Sequence, residues 1–318
     1  MGAMDTSSRA RATLLGLAIG DSLGAGVEFR TAAEIAATYP DGVRELTGWP
    51  QLRLMAGQPT DDSEMALALA RSVIHVGGFD VADVQASYER WVRSDAFGVG
   101  TTINRALVEQ TKDPQSQANG ALMRIAPLAI YGAGRAAITA ESLADAARQD
   151  CRITHINPLC QDVNAVFTVA VATIIHDQLD RDGAVDALHQ AAHTPGVGSP
   201  EVATIIETAR REVPADYLTH MGWVRIALSN AVWELTHSDD VEQSLVRTIG
   251  RGGDTDTNAA ITGALLGAVY GEEAIPLRWR EAIVACRPTA DSPRPRPEEY
   301  WPTDIPQVAD ALLAAGAS

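Results

Sequence analysis

Cysteine is scarce in this 318-residue sequence, and the few cysteines form no pattern. The three of them, Cys151, Cys160 and Cys286, are odd in number and are not spaced like zinc ligands. This argues against a disulfide framework and against a structural zinc site. We therefore expect a reducing, cytoplasmic location.

Positive charge is also in short supply. Lys112 is the only lysine, and the 25 basic residues face 41 acidic ones, which gives a formal net charge of −16. A protein that neutralises many phosphates carries the opposite balance, so no strong general nucleic-acid binding is expected. The acidic excess fits a solubility feature, and carboxylates that bind cations would add to the same count.

Long apolar runs are missing as well. The most apolar stretch, residues 165–175, is much shorter than the roughly 20 residues that cross a bilayer. Residues 1–4 resemble an expression scar, and no sections of a signal peptide follow them. We expect no membrane span.

Strict alternation of apolar and polar residues, the mark of half-buried strands, is nearly absent. Apolar residues recur instead at steps of three and four, and at 46% of the chain they suffice for a sizeable core. This predicts an all-α fold in one domain, residues 5–318, with a proline-rich surface tail at 291–306; a monomer is expected. The predicted helices cover 11–23, 63–75, 81–93, 102–109, 121–131, 140–149, 158–178, 184–192, 200–211, 223–236, 241–249, 257–270 and 277–285.

A glycine- and acid-rich segment precedes one apolar helix near the C-terminus. It reads Gly252-Gly253-Asp254-Thr255-Asp256-Thr257 and offers hard oxygen ligands on a loop that glycines allow to bend around an ion. The alternative is an ordinary helix N-cap, but a cap needs only one such residue. Metal binding is therefore the favoured interpretation.

A second acidic segment, Thr60-Asp61-Asp62-Ser63-Glu64, repeats this chemistry far upstream, again before a helix. Adjacent carboxylates repel each other unless a cation or solvent compensates them, although Asp61 and Glu64 also suit a helix-capping arrangement. Two such segments without histidine or cysteine ligands nearby indicate an oxygen-only site for Mg or Mn, with one ion or two.

Small residues mark the end of the first predicted helix, where the sequence reads Gly20-Asp21-Ser22-Leu23-Gly24-Ala25-Gly26-Val27-Glu28. Gly24 and Gly26 suit close helix packing as well as they suit a ligand. Glu28 is not explained by packing, which makes it a candidate functional acid.

Taken together, these segments resemble the ADP-ribosylglycohydrolase family. The resemblance spans most of the chain in the family's order and rests on Gly20 to Gly24 with Glu28, Thr60-Asp61-Asp62-Ser63, Asn119-Gly120-Ala121-Leu122-Met123-Arg124, Thr154-His155 and Gly252 to Thr257. It implies a compact orthogonal bundle of helices around a cleft that holds two divalent ions, Mg or Mn.

The resemblance also implies roles for individual residues. Glu28 would serve as acid or base, and Asp21 is placed with it as a catalytic candidate that supports the metal shell. The implied metal ligands are Thr60, Asp61, Asp62, Asp254, Asp256 and Thr257.

On the substrate side, Gly98-Val99-Gly100-Thr101-Thr102 is similar to the family's diphosphate loop. Nitrogen-fixation relatives carry an Asp and an Asn in this loop, where this chain has Phe97 and Gly100, so the acceptor stays open. The implied substrate-binding residues are Gly98, Gly100, Thr101, Asn119, Gly120, Met123 and His155.

The expected activity is therefore metal-dependent hydrolysis that releases ADP-ribose from a protein, a nucleic acid or a small molecule. Cleavage would occur at the anomeric carbon of the distal ribose. Two alternatives stay open: a noncatalytic family member that binds ADP-ribose, and a dinuclear metal phosphohydrolase.

Overall fold

The computed structural model describes residues 5–134 and 138–317, and within them the regular structure is helical. Only three isolated β-bridges occur in the described part of the chain, so the predicted all-α fold is confirmed. The α-helices there are α1 (Thr6–Gly24), α2 (Ala32–Thr38), α3 (Asp61–Val76), α4 (Val81–Val92), α5 (Thr101–Leu107), α6 (Ala126–Ala133), α7 (Ala140–Thr154), α8 (Pro158–His176), α9 (Arg181–His193), α10 (Pro200–Ala209), α11 (Val224–His237), α12 (Val241–Gly250), α13 (Thr255–Tyr270), α14 (Leu277–Ala285) and α15 (Ile305–Ala317).

Helices α1 and α13 form the centre of the molecule and pack backbone against backbone. A Cβ added to Gly16 would lie 2.1 Å from the carbonyl oxygen of Gly263, and one added to Gly20 would lie 2.1 Å from that of Ala259. Glycine alone permits this approach. Further along, Gly24 lies against Asp256, so the end of α1 meets the start of α13.

Helix α8 is a second largely buried helix of the core. Among the described residues it is the one helix long and apolar enough to cross a membrane by length and composition, with a mean hydropathy of 1.5. However, 78% of that apolar window is buried, and α8 packs against α6, α7 and α9. This burial is typical of a core helix in a globular domain.

The sequence analysis did not predict α2 and α15, and one helix that it predicted is divided into two elements. Helix α2 buries only Ile35, so it lacks an apolar stripe, and α15 lies partly within the predicted proline-rich tail. Residues 121–131 contain a short 3-10 turn before α6, because Pro127 is tolerated only in the first turn of a helix.

The segment 291–306 is more than a surface tail. Arg296 is 4% exposed, and its guanidinium binds the buried Glu64 carboxylate of α3 with distances of 2.7 Å to both oxygens. Tyr300 and Ile305 are also buried. The tail prediction underestimated this segment because its Pro, Arg and Glu content is typical of exposed chain.

Candidate active site

A cavity of about 480 Å³ lies where the ends of α1, α3 and α13 meet, which is a usual size for a small-molecule site. The predicted site residues converge on it from distant parts of the sequence. Its walls include Glu28, Asp61, Asp62, Gly98, Gly100, Thr101, Asn119, Gly120, Met123, His155, Asp254, Asp256 and Thr257. Asp21 and Thr60 are absent from the lining.

Asp21 instead lies behind the wall and caps α3. Its carboxylate accepts hydrogen bonds from the backbone N–H and side-chain hydroxyl of both Thr60 and Ser63, at 2.6–3.0 Å. Burial raises the pKa of Asp21 to about 6. The expected capping pair of Asp61 with Glu64 is therefore wrong: Asp21 takes the capping role, and Glu64 pairs with Arg296.

The start of α13 is held without a conventional cap. Asp254 occupies the N-cap position, but its side chain makes no capping bond; Oδ2 accepts instead from Asn119 Nδ2 at 2.7 Å. The hydroxyl of Thr255 donates to the carbonyl of Gly24 at 2.8 Å, which ties α13 to α1. The Asp254 side chain therefore does not cap α13, contrary to the N-cap alternative, and its Oδ1 has no hydrogen-bond partner among the described residues.

The acidic side chains form one electrostatic cluster. Single carboxylate oxygens of Glu28, Asp254 and Asp256 lie within 4.8 Å of one another. Burial, followed by repulsion from Asp254 and Asp21, raises the pKa of Glu28 to about 8. Burial and neighbouring carboxylates likewise hold the pKa values of Asp61, Asp62 and Asp256 well above their usual range.

Divalent cations suit this cluster on three counts. The lining residues include no lysine or arginine that could neutralise the carboxylates. Asp62 Oδ1 and Asp254 Oδ1 are buried and lack a hydrogen-bond partner within the described residues. An all-oxygen donor set of this kind matches Mg or Mn.

Glu28 owes its position to the loop that precedes α13. The N–H of Phe29 donates to the carbonyl of Gly253 at 2.7 Å, and the N–H of Gly253 donates to Arg30 at 2.9 Å. Gly252 and Gly253 have φ of 79° and 77°, in the left-handed region that favours glycine. The two glycines therefore align the turn carrying Glu28 with the acids of α13.

His155 lines the cavity and is almost completely buried. Its Nδ1 lies 2.8 Å from the Thr154 hydroxyl, and its Nε2 is buried with no partner among the described residues. Burial, with a contribution from Arg124, lowers the pKa of His155 to about 3. The imidazole is therefore neutral and offers Nε2 to a bound ligand.

A buried ion pair supports the wall next to His155. Arg124 donates to the carbonyl of Gly120 at 3.1 Å and to Asp150 at 3.1 Å, and Tyr88 donates to Asp150 at 2.6 Å. Arg124 does not reach the cavity itself. It holds the backbone of the wall through its hydrogen bond to Gly120. Its ion pair with Asp150 is fully buried, so the loss of either partner would leave an uncompensated charge.

Sequence reasoning missed four lining residues, namely Phe29, Ile103, Ala118 and Gly222, and it named Val99 and Thr102 only as members of the diphosphate-loop segment. Phe29 follows Glu28 directly, has φ of 64° and is 65% exposed at the rim, which is unusual for a large apolar side chain. Gly222 accepts a hydrogen bond from the N–H of Asn119. No local motif marks Gly222, because only the tertiary fold brings it to the site.

Comparison with known proteins gives the same family across the whole length. A family model for ADP-ribosylglycohydrolase matches residues 3–317. The chain is 33% identical to the ADP-ribosyl-[dinitrogen reductase] glycohydrolase of Rhodospirillum rubrum, over 85% of this chain and 88% of that protein. It is 27% identical to the ADP-ribosylarginine hydrolase Tri1 of Serratia proteamaculans (strain 568), over 88% and 76%.

A solved structure agrees. A chain described as an ADP-ribosylglycohydrolase-related protein complex superposes with a TM-score of 0.76 at 27% identity, covering 98% of this chain and 99% of that one. Fold, motif order and site geometry thus point the same way. The names of these relatives support an ADP-ribosyl hydrolase activity. The chain belongs to the ADP-ribosylglycohydrolase family.

Proposed function

We propose that this protein is a divalent-metal-dependent hydrolase that releases ADP-ribose by cleaving at the anomeric carbon of the distal ribose. One observation carries the proposal: carboxylates from both ends of the chain converge on one cavity, and two of their buried oxygens have no hydrogen-bond partner in the described part of the chain. The residues that would hold two ions, Mg or Mn, are Asp61, Asp62, Asp254, Asp256 and Thr257.

Thr60 is a weaker ligand candidate than these residues. Its hydroxyl donates to Asp21 at 2.8 Å, and it lies outside the cavity lining. We assign Thr60 and Asp21 to positioning α3, because their mutual hydrogen bonds fix the helix end that carries Asp61 and Asp62.

Glu28 is the proposed acid or base. In the reaction the bond from the anomeric carbon to the acceptor breaks, a water oxygen bonds to that carbon, and a proton passes to the leaving group. A carboxyl group on the cavity wall can hold or release this proton, and in the metal-free protein burial and neighbouring carboxylates raise the pKa of Glu28 to about 8. Bound cations would contribute charge neutralisation and orientation of the ribose hydroxyls.

The remaining walls suit the rest of ADP-ribose. The loop from Gly98 to Thr101 would take the diphosphate through backbone N–H groups, and Asn119, Gly120 and Met123 would line the adenosine side. His155 would offer its neutral Nε2 to the ligand. The acceptor linkage stays open, since arginine, serine, nucleic-acid and small-molecule conjugates share the ADP-ribose part.

The test is a panel of ADP-ribosylated arginine, serine and nucleic-acid substrates, each incubated with Mg, with Mn and with chelator. We expect metal-dependent release of free ADP-ribose from at least one substrate, and Asp256→Asn should lower that rate by about 10²-fold or more. Release of AMP, with a ribose 5-phosphate left on the acceptor, would instead identify a phosphohydrolase that cleaves the diphosphate. Binding of ADP-ribose without cleavage of any substrate would identify a noncatalytic member.

A further inference from the structure

A second group of potential metal ligands lies on the surface formed by α9 and α10, and none of its members lines the catalytic cavity. His189 and His193 are four residues apart on α9, so their side chains share one helix face. Glu207 approaches them from α10. One ligand atom from each of the three residues lies within 4.8 Å of the others.

The two distances from Glu207 to the histidines are close to those of a tetrahedral site. Glu207 Oε1 lies 3.5 Å from His189 Nε2 and 3.7 Å from His193 Nε2. Two ligands bonded to one ion at about 2.0–2.1 Å, at the tetrahedral angle, lie about 3.3–3.4 Å apart. Small side-chain rotations would therefore complete the geometry, since all three side chains are partly exposed.

The tautomer of His193 is also set for metal binding. Its Nδ1 lies 2.8 Å from the backbone carbonyl oxygen of His189. A carbonyl oxygen can only accept, so Nδ1 carries the proton, and in the neutral ring Nε2 keeps its lone pair toward Glu207. Metal-binding histidines are commonly oriented by such a bond from the other ring nitrogen.

Space remains for a fourth ligand. A cavity of about 470 Å³ opens beside the cluster, lined by His193, Glu207 and the turn between the two helices. Its lining includes no lysine or arginine that would repel a cation.

We propose that His189, His193 and Glu207 bind a zinc-class transition-metal ion that joins α9 to α10, with water or an exogenous ligand in the fourth position. Two imidazoles and one carboxylate favour Zn²⁺ or Co²⁺ over Mg²⁺, whereas the catalytic cavity offers oxygen ligands from its acidic side chains. The two sites therefore differ in chemistry as well as in position.

The experiment titrates Zn²⁺ into the full-length Asp61→Asn/Asp256→Asn protein. In this variant amides replace two carboxylates of the catalytic cavity, so the cavity should bind cations more weakly. We expect one bound Zn²⁺ per chain, and His193→Gln in the same background should weaken its binding by about 100-fold or more. Co²⁺ bound in place of Zn²⁺ should give the intense visible absorption of four-coordinate cobalt. Saturating Zn²⁺ should raise the melting temperature by about 5 °C at about 100 times Kd.

The matched control is His237→Gln. His237 also ends a helix and bonds through Nδ1 to the carbonyl four residues earlier, at 3.0 Å, but it stacks on Trp233 and has no acidic partner among the described salt bridges. It should leave Zn²⁺ binding unchanged. Failure to bind Zn²⁺, or equal affinity with and without His193, would overturn the proposal.

A second measurement covers the possibility that the doubly substituted background does not fold. Zn²⁺ is then titrated into the parental protein and into its His193→Gln variant, both saturated with Mg²⁺ to occupy the catalytic site. The parental protein should bind one more Zn²⁺ per chain than the variant. Equal stoichiometry would count against the site.

Discussion

At the scale of single residues, Glu28 combines a raised pKa with a position on the cavity wall. Glu28→Gln keeps the side-chain volume but cannot exchange a proton, so ADP-ribose affinity should persist while single-turnover cleavage slows by about 10²–10⁴-fold. Calorimetric titration with ADP-ribose beside single-turnover cleavage separates the two effects. Glu34→Gln is the control, because Glu34 is exposed and its capping bond tolerates glutamine.

If Glu28→Gln cleaves at the rate of the parental protein, the catalytic role belongs to a carboxylate of the metal cluster. An equal loss of binding and rate would have the same consequence. Asp21 is a poor substitute, because the start of α3 occupies both of its oxygens.

Most of the polar residues that line the cavity were accessible from the sequence, because short motifs keep residues of one chemical type together. The acidic segments at 60–64 and 252–257 are of this kind, and both reach the cavity. The motifs could not reveal where each side chain points. Asp21 lies beside a glycine and Asp61 at a helix start, yet Asp21 caps a helix and Asp61 faces the cavity. That distinction depends on which donors lie nearby in three dimensions.

At the scale of elements, two ion pairs connect α3 with the C-terminal segment, and they differ in burial. The side chains of Glu64 and Arg296 are 1–2% exposed, whereas those of Arg71 and Asp304 are 32–42% exposed. Arg296→Ala leaves a buried carboxylate unpaired and should lower the free energy of unfolding by about 3–5 kcal/mol. Arg71→Ala, the matched control, should cost about 0–1 kcal/mol. Urea unfolding of both variants checks the difference, and equal costs would contradict it.

The helices that the sequence predicted best have an apolar stripe or an apolar surface all round, as α8 and α13 do. Helices α2 and α15 were missed for different reasons. Helix α2 is short and buries one side chain, so its pattern is weak, while α15 buries Ile305, Val308, Ala309 and Leu312 at helical spacing. The prolines nearby obscured that second signal, although Pro306 fits the first turn of a helix.

At the scale of the whole molecule, the acidic cluster couples stability to pH. The pKa values of Asp21, about 6, and Glu28, about 8, are raised on folding, so in chelator their stabilising contribution is present at low pH and is lost as the pH rises through these values. The melting temperature in chelator should fall between about pH 5 and pH 9. Saturating Mn should reverse most of the fall, because cations favour the ionised carboxylates.

Melting curves at several pH values, with chelator and with Mn, check this. Glu28→Gln should flatten the fall near pH 8 in chelator. A melting temperature that rises over this range without metal would contradict the assignment of the cluster. The cytoplasmic location expected from the cysteines stays a prediction, and so does the monomeric state.

The backbone contact between α1 and α13 has a consequence for how the protein is made. It joins Gly16 to Gly263, so the central packing of the molecule closes a loop of most of the chain. Contacts this distant in sequence form slowly, because the entropy of loop closure must be overcome first. During synthesis, Asp21 and Glu28 leave the ribosome long before Asp254 and Asp256 exist. The nascent chain therefore cannot assemble its acidic cluster until translation has nearly finished, and no N-terminal fragment ending before α13 contains the site.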